Sequence, residues 1–462
     1  MSIVDDTKRK TQDLDMTEGS VLRLLLIFTL PILASGFLQQ LYTTIDALIL
    51  GQFAGKIGLS AIDSVYNFLK LPINFFIGFS AGATIIISQS YGAKDHDRLN
   101  KAIHTCICLS VFAGFILSLS GFLTGPFFIR LLKVPDEIYP YALSYLRIYF
   151  SGLLLSLLFN TSSGILRAIG DSKTPFISLG ISGILNILLD LLFVVLLRLN
   201  AAGAALATVI SQGISAVFTL FQLHKQSLLN LSEIKSDNAI TNQILRIGIP
   251  IGFQSALFPI ANMIVQGRIN SSGSDCIAAW ALCGKMDFMI WLICDSMAAA
   301  IATFAAQNYG AGKPDRARSG VRMGMIITLI STGIFSALLY YYAEQFGRIF
   351  INRKDWDTAI LAGSIMRFIA PTYFFYSIGE IISGAIRAYG RSFVPMLITL
   401  LCTCGTRIIW IVFFTTTDSK IKTILSCYPL SWIITAVVFV IYYQFFKKKI
   451  MWYIKDRYSK EN

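Results

Sequence analysis

Twelve long apolar runs limit what this chain can fold into more than any other feature of its sequence. Each run has the length of about 20 mostly apolar residues that a helix needs to cross a bilayer. Backbone exposed to lipid has to satisfy its own hydrogen bonds, so the runs are expected to be helices. They lie at about 21–50, 61–90, 101–129, 138–162, 175–197, 201–223, 244–268, 276–307, 319–343, 358–386, 393–415 and 423–446. The pattern predicts an all-α membrane protein with twelve transmembrane helices.

Composition excludes most other classes of protein. Of the 462 residues, 55% are hydrophobic and 14% are charged, and the mean hydropathy is +0.64. Soluble domains carry about 25% charged residues, so a soluble enzyme is excluded, as are a disordered chain and a secreted disulfide-bonded domain. The net charge is +13, but too little polar sequence remains for a nucleic-acid-binding domain. The expected partner is the lipid bilayer, and no nucleic acid is expected.

Loop charges predict the orientation in the membrane. With both termini on one side, the predicted loops of that side carry more than twice as many Lys and Arg residues as the opposite loops. Positive loops stay in the cytoplasm. We therefore expect a multi-pass protein of the plasma membrane (the inner membrane of the cell) with both termini in the cytoplasm. The first apolar run has no small-residue cleavage site, so it is expected to be a retained span and not a signal peptide.

An internal repeat divides the chain. Ser163 to Pro175 (SGILRAIGDSKTP) and Ser383 to Pro395 (SGAIRAYGRSFVP) share seven of 13 positions at an offset of 220. Near offset 218, QSYGAKDHDR from Gln89 matches QNYGAGKPDR from Gln307. The matching segments keep their order, which predicts a duplication. The expected parts are a cytoplasmic tail at 1–20, an N-lobe at 21–223, a cytoplasmic linker at 224–243, a C-lobe at 244–446 and a cytoplasmic tail at 447–462.

Six spans per repeat is an even number, so both repeats enter the membrane from the same side. This predicts two six-helix bundles related by a pseudo-twofold axis along the membrane normal. Two similar bundles with a cleft between them suit transport by alternating access.

Acidic residues inside spans are the main functional signal. A carboxylate at bilayer depth costs about 2.5–3.5 kcal/mol or more, so it normally faces a cavity or a partner. Asp63 and Asp287 are expected near span ends or in turns. The acids predicted well inside spans are Asp46, Asp190, Asp295 and Glu380.

Two of these acids share a helix face with other polar residues. Gln39, Tyr42 and Asp46 follow one another at spacings of three and four residues, which places them along one face of the first span. Asn186 precedes Asp190 by one turn in the fifth span. The spacing therefore predicts a polar stripe on each of the two helices.

The repeat shows that this pair of acids belongs to the first half alone. Val265 and Trp410 occupy the positions that correspond to Asp46 and Asp190 in the second half. A packing requirement should have left traces in both halves. We therefore expect a single ion site in the N-lobe.

The sequence leaves the coupling ion open. Two carboxylates in a low-dielectric cavity resist ionising together, so one of them is expected to exchange a proton near neutral pH. Alternatively, oxygens of Asp46, Asp190, Asn186 and Thr208 ligate Na⁺, which would make the two aspartates metal ligands.

The remaining intramembrane charges allow several interpretations. Glu380 is the repeat counterpart of Asn160, so both are expected to line the central cleft. Asp295 either serves a second site or pairs with Lys285 or Arg407.

Together these features resemble the multidrug and toxic compound extrusion (MATE) family. The resemblance covers nearly the whole chain and is carried by QSYGAK with QNYGAGKPDR and by LRAIGDSKTP with IRAYGRSFVP. The branch with a DNA-damage-inducible, prokaryotic type of N-lobe site is most similar. In another branch, coupling uses C-lobe carboxylates, but Gln254 and Tyr376 occupy those positions here, so coupling of that kind is not expected.

The resemblance also implies roles for individual residues. Pro31 matches the position at which the first span bends, and it would act as a conformational hinge. The implied cation-coupling residues are Asp46, Asn186, Asp190 and Thr208, and Gln39, Tyr42 and Asn160 would line the cavity. Glu380 and Asp295, which also carry charge inside the membrane, are expected to line the cavity as well.

The predicted function is secondary antiport. The resemblance implies export of organic cations, drugs and other amphipathic compounds in exchange for inward H⁺ or Na⁺. No catalytic motif is found, so the chain is not expected to be an enzyme, and no cofactor is expected besides the coupling ion; a monomer is expected. The alternative is a flippase for a lipid-linked saccharide or another amphipathic lipid, which would need a strongly cationic cleft. A channel or receptor would have no need of the duplicated cleft.

Overall fold

Helices long and apolar enough to cross a membrane make up most of the chain. The structure, a computed structural model, describes residues 14–230 and 235–461. Twelve helices meet the length and hydropathy of a membrane span within that part, and it contains no strand. The prediction of an all-α membrane protein with twelve spans is therefore confirmed.

The first six spans come from the first half of the chain. They are α1 (Val21–Ala54), α2 (Gly55–Gly92, with its apolar part at Leu69–Gly92), α3 (His96–Leu131), α4 (Tyr139–Ala168), α5 (Lys173–Leu196) and α6 (Asn200–Lys225). The helix α2 begins earlier than the apolar run at 61–90 predicts. Because Gly55 has a φ of 68°, the backbone breaks there between α1 and α2.

The other six spans come from the second half. They are α7 (Asn238–Asn270), α8 (Ser274–Gly310), α9 (Pro314–Phe350), α10 (Arg353–Ala388), α11 (Phe393–Phe414) and α12 (Ile421–Phe445). The predicted spans match these helices with small differences at the ends, because hydropathy identifies the apolar part of a helix and not its polar first and last turns.

Three of the spans contain a π-helical segment. These segments are Leu50–Ala54 at the end of α1, Leu191–Leu196 at the end of α5 and Thr399–Gly405 within α11. A π segment adds a residue to a turn and redirects the side chains that follow, and such segments are frequent at functional sites. Apolar periodicity does not reveal them.

The repeated motifs form turns between helices. In the first motif, the Asp95 carboxylate accepts a hydrogen bond from the backbone N–H of Arg98 at 3.0 Å and caps α3. In the motif after α4, Gly170 has a φ of 100°, and a Cβ there would lie 2.3 Å from the carbonyl oxygen of Leu14. Only glycine fits at this position of the turn, which explains the glycine at 170.

Contacts divide the chain into two compact units. Unit 1 comprises the N-terminal segment up to Met16 together with Ile27–Gly252, and unit 2 comprises Thr17–Leu26 together with Phe253–Asn462. Each unit therefore takes one short piece from the other half of the chain.

Candidate ion-coupling and substrate site

Small residues on α5 leave room for side chains of α1 in unit 1. A Cβ placed on Gly180 would lie 3.8 Å from Cδ1 of Leu38, and one placed on Gly183 would lie 3.4 Å from Cδ1 of Tyr42. Leu38, Tyr42 and Asp46 are successive i, i+4 neighbours on α1, so the same contact line leads to Asp46.

Asp46 meets α5 at Asn186. With its amide nitrogen turned toward Asp46, the buried Asn186 donates a hydrogen bond to Oδ1 at 2.8 Å and to Oδ2 at 3.3 Å. Asp46 itself is half-buried. The contact joins the polar stripes that the sequence predicts on the first and fifth spans.

The Asp190 carboxyl completes this group. It is buried and lies near the Asp46 carboxyl, close enough for the two groups to interact. Within the described chain, neither Asp190 oxygen receives a hydrogen bond from an N–H or O–H donor. Ionised carboxylates only accept hydrogen bonds. The two groups can therefore bond only when one of them carries a proton, and two charges at this separation would repel.

An apolar cluster follows both aspartates along their helices. It is built from Ile49, Leu50, Val194 and Ala204, which are all buried. The first two residues follow Asp46 by one turn, and Val194 lies in the π segment that begins directly after Asp190. Apolar surroundings strengthen the interaction between the two carboxyl groups.

Thr208 lies on α6, one turn beyond Ala204. Its hydroxyl donates a hydrogen bond to the carbonyl oxygen of Ala204 at 2.9 Å. No hydrogen bond of the described residues joins Thr208 to Asp46 or Asp190. The structure therefore brings Asp46, Asn186 and Asp190 together and leaves Thr208 next to the apolar cluster.

The predicted cavity residues of unit 1 lie in different surroundings. Gln39 is exposed on α1, while Tyr42 is half-buried against Gly183 of α5. Asn160 on α4 is half-buried, and its amide donates to the carbonyl oxygen of Ser156 at 2.8 Å.

The α-helical part of α1 continues across Pro31, from Val21 to Ile49. Proline has no N–H to donate, which interrupts the backbone ladder. The Ser35 hydroxyl donates to the Pro31 carbonyl oxygen at 2.7 Å. The irregular backbone of α1 lies instead at the π segment that follows Asp46, and a hinge at Pro31 stays a prediction.

In unit 2 the other two predicted cavity acids lie close together. Asp295 is exposed near the middle of α8, close enough to Glu380 and Arg387 for all three charges to interact. The guanidinium of Arg387 lies 3.9 Å from the Glu380 carboxylate. One arginine therefore faces two carboxyl groups, which leaves an excess of negative charge.

Of the two alternatives for Asp295, pairing with Lys285 or Arg407 is not found in the part of the chain that the structure describes. The Lys285 ammonium lies over the ring of Phe350, 5.5 Å from its centre. The fully buried Arg407 donates to Asn262 and also to Ser431. For Arg407, two neutral oxygen acceptors thus take the place of the Asp295 carboxylate.

The expected position of Asp287 at a span end or turn is wrong. It is buried inside α8, where the Tyr373 hydroxyl donates to its Oδ2 at 2.6 Å. Tyr373 lies on α10, so no local sequence pattern identifies this partner. The hydropathy of the eighth run alone indicates that Asp287 lies inside the membrane.

The polar groups at the Asp46–Asp190 pair fit either a proton or Na⁺. No group of three or more His, Cys, Asp or Glu residues with metal-binding geometry occurs among the described residues. With its amide nitrogen toward Asp46, Asn186 donates to the carboxylate, and with its oxygen turned there it would offer a ligand to Na⁺.

Comparison with known proteins agrees with the fold. The model of one protein family, MatE, matches residues 31–192 and 250–413, which is well over half of the chain. A similar curated protein, the probable multidrug resistance protein YoeA of Bacillus subtilis (strain 168), is 27% identical, with 94% of this chain and 96% of YoeA covered. The probable multidrug resistance protein YpnP of the same strain is 28% identical, with 84% and 87% covered.

Solved structures show the same architecture. A crystal structure described as MATE in complex with MaL6 superposes with a TM-score of 0.88 at 18% identity, covering 97% of this chain and all of that one. An outward-facing multidrug resistance MATE family transporter of the MOP superfamily also reaches 0.88 at 18% identity, with 95% and 98% covered. At this identity the likeness concerns the fold alone.

Proposed function

Because this chain belongs to the MatE family, we propose that it is a secondary antiporter that exports amphipathic and cationic compounds in exchange for inward H⁺ or Na⁺. Its fold is that of a multi-pass membrane transporter. The observation that carries the proposal is the contact between the Asp46 and Asp190 carboxyl groups, supported by the amide of Asn186.

The coupling step follows from the chemistry of this contact. When a proton enters, one carboxyl donates to the other, and α1 is held against α5. When the proton leaves, two negative charges face each other at short range, and they either separate or attract a cation. Binding of the proton and of a cationic substrate then oppose each other, which is a reciprocal free-energy linkage between the ion and its cargo.

Sodium remains the second candidate for the coupling ion. It would take the place of the proton, with Asp46 and Asp190 as ligands and with oxygens of Asn186 and Thr208 completing the site. The two ions differ in what they ask of Asn186: the proton-bound pair takes its amide nitrogen, which donates to a carboxylate, and Na⁺ takes its oxygen.

The cargo would be small and amphipathic. Gln39, Tyr42 and Asn160 offer polar and aromatic contacts in unit 1, and Asp295 with Glu380 offers negative charge in unit 2. The loop charges support a plasma-membrane protein with both termini in the cytoplasm. We propose that the monomer is the working form and that the chain acts on its cargo without chemical change.

A flippase for a lipid-linked saccharide is not favoured. Such a lipid carries a pyrophosphate and needs a cationic site. The acids of unit 1 face each other and an amide, and in unit 2 two acids share one arginine. The relatives YoeA and YpnP are named as probable multidrug resistance proteins.

The test is ethidium transport by purified protein in liposomes, with a proton gradient or a sodium gradient imposed separately. One of the two gradients should drive ethidium uphill in the wild type, and Asp46→Asn should abolish that movement. A matched control is Asp63→Asn, because Asp63 is an exposed acid of the same unit outside the site. Full gradient-driven transport by Asp46→Asn would contradict the proposal.

A further inference from the structure

The arginine that ends the first repeated motif and its counterpart in the second make the same kind of contact. Arg98 closes QSYGAKDHDR and Arg316 closes QNYGAGKPDR, at corresponding positions of the two repeats. Each guanidinium reaches the chain just ahead of, or at the start of, the first span of the other repeat. We name these stretches the lead segments: residues 17–20 before α1 and residues 237–243 at the start of α7.

In unit 2 the α1 lead segment is held by its backbone. The Arg316 guanidinium donates to the carbonyl oxygen of Glu18 at 2.7 Å, and the Lys313 ammonium donates to that of Thr17 at 3.0 Å. Gly19 has a φ of 77°, so a glycine turn links these two residues to the start of α1. Thr17 is buried, as is Met16 before it.

In unit 1 the α7 lead segment is held from α3. The Arg98 guanidinium donates to Oε1 of Gln243 at 2.9 Å, and the Thr105 hydroxyl accepts from the backbone N–H of Asp237 at 3.0 Å. The Asp237 carboxylate in turn caps α7 by accepting from the N–H of Ile240 at 2.9 Å. Glu18 and Asp237 correspond at the repeat offset of 219.

The division into compact units agrees with these contacts, because the start of each first span groups with the other half of the chain. Thr17–Leu26, at the start of α1, groups with the second half of the chain, and the part of α7 up to Gly252 groups with the first half. Pro31 and Pro250 occupy corresponding positions near these two changes of unit. Each first span therefore begins in one unit and continues in the other.

We propose that Arg316 and Arg98 are positioning residues that fasten the first span of the opposite repeat, Arg316 the start of α1 and Arg98 the start of α7. A charged donor on a backbone carbonyl or amide oxygen is stronger than a neutral hydrogen bond. The start of α1 is then fixed to unit 2, while Asp46 on the same helix belongs to unit 1. A change of protonation at Asp46 therefore acts on a helix whose start is held by Arg316. In this way the repeated motifs influence how α1 moves during transport.

The test measures how freely each lead segment moves. Thr17→Cys and Ile240→Cys place a thiol at a buried position of each segment, where labelling requires the segment to open. Labelling by a membrane-impermeant maleimide in open membrane fragments is followed at each site by mass spectrometry. Arg316→Gln or Arg98→Gln is then added to each variant, so that every arginine change is measured at both probes.

Each arginine substitution should affect only the lead segment that this arginine contacts. Loss of a charge-assisted hydrogen bond worth about 1.5 kcal/mol corresponds to about a tenfold rise in the opening of the segment. Arg316→Gln should accelerate labelling about tenfold at Thr17→Cys and leave Ile240→Cys unchanged, and Arg98→Gln should do the reverse. Acceleration at both probes, at the wrong probe or at neither would overturn the proposal. The readout does not depend on the proposed transport activity, so the two can fail separately.

Discussion

An amide in place of the Asp190 carboxyl keeps the shape of the side chain and its capacity to donate to Asp46, but it cannot gain or lose a proton. Asp190→Asn therefore imitates the proton-bound pair permanently. Because one hydrogen bond replaces another, we expect the free energy of unfolding to change by no more than about 1 kcal/mol. Asp190→Leu removes the bond altogether and should cost about 1–3 kcal/mol.

The effect on transport should be far larger than the effect on stability. Each tenfold concentration ratio corresponds to about 1.4 kcal/mol, so a gradient of about two pH units supplies about 2.7 kcal/mol per proton. One-for-one exchange can then hold ethidium at a ratio of up to about 100 across the membrane. Because Asp190→Asn has no proton to exchange at this position, it should not concentrate ethidium, and the concentration ratio across the membrane should stay at about 1.

The assay is ethidium fluorescence in liposomes of matched protein content, with Asp63→Asn as the control for the chemical change. Thermal unfolding of the purified variants separates lost coupling from lost folding. Ethidium accumulation by Asp190→Asn at the wild-type ratio would refute the reasoning, because the pair would then not carry the exchanged proton.

Three further changes test other parts of the structure. Gly82→Ala should lower the free energy of unfolding by about 1–3 kcal/mol, because a Cβ there would lie 2.4 Å from the Cα of Gly248; Gly284→Ala, with no atom within 4 Å, should cost nothing, and equal unfolding temperatures would contradict this. Tyr373→Phe removes the hydroxyl that donates to the buried Asp287 and should cost about 1–3 kcal/mol in the same unfolding assay; a wild-type value would show that the bond is dispensable. Asp295→Asn should slow export of a cationic dye at least about tenfold relative to an uncharged one, since it removes the exposed charge near Glu380, and equal slowing of both dyes would argue against a charge contact.

The positions of the spans follow from local sequence. Each apolar run is long enough to cross a bilayer, and backbone in lipid has only the helix available when no closed sheet forms. The prediction missed the early start of α2 at Gly55, because Lys56 and the small residues before 61 lower the hydropathy without breaking the helix. It also missed the three π segments, which depend on packing and not on the apolar period.

The candidate site was only partly accessible from sequence. Spacing places Asn186 and Asp190 on one face, and the repeat shows that Asp46 and Asp190 have no acidic counterparts in the second half. That these residues meet depends on the contact between α1 and α5, where Leu38 and Tyr42 lie against Gly180 and Gly183. The burial of Asp287 and its bond to Tyr373 join two helices that no pattern in the sequence pairs.

The sequence by itself determined the membrane class, the twelve spans, the duplication and the acids unique to the first half. These features can be read from single segments or from a comparison of two segments. Hydrophobicity decides them locally, together with the need of backbone in lipid to satisfy its own hydrogen bonds. Tertiary structure alone decided that Asp46 and Asp190 share a contact and that Arg98 and Arg316 reach the opposite first spans. Those contacts join residues far apart in the chain, and the close packing of particular helix faces, which no single segment encodes, brings them together.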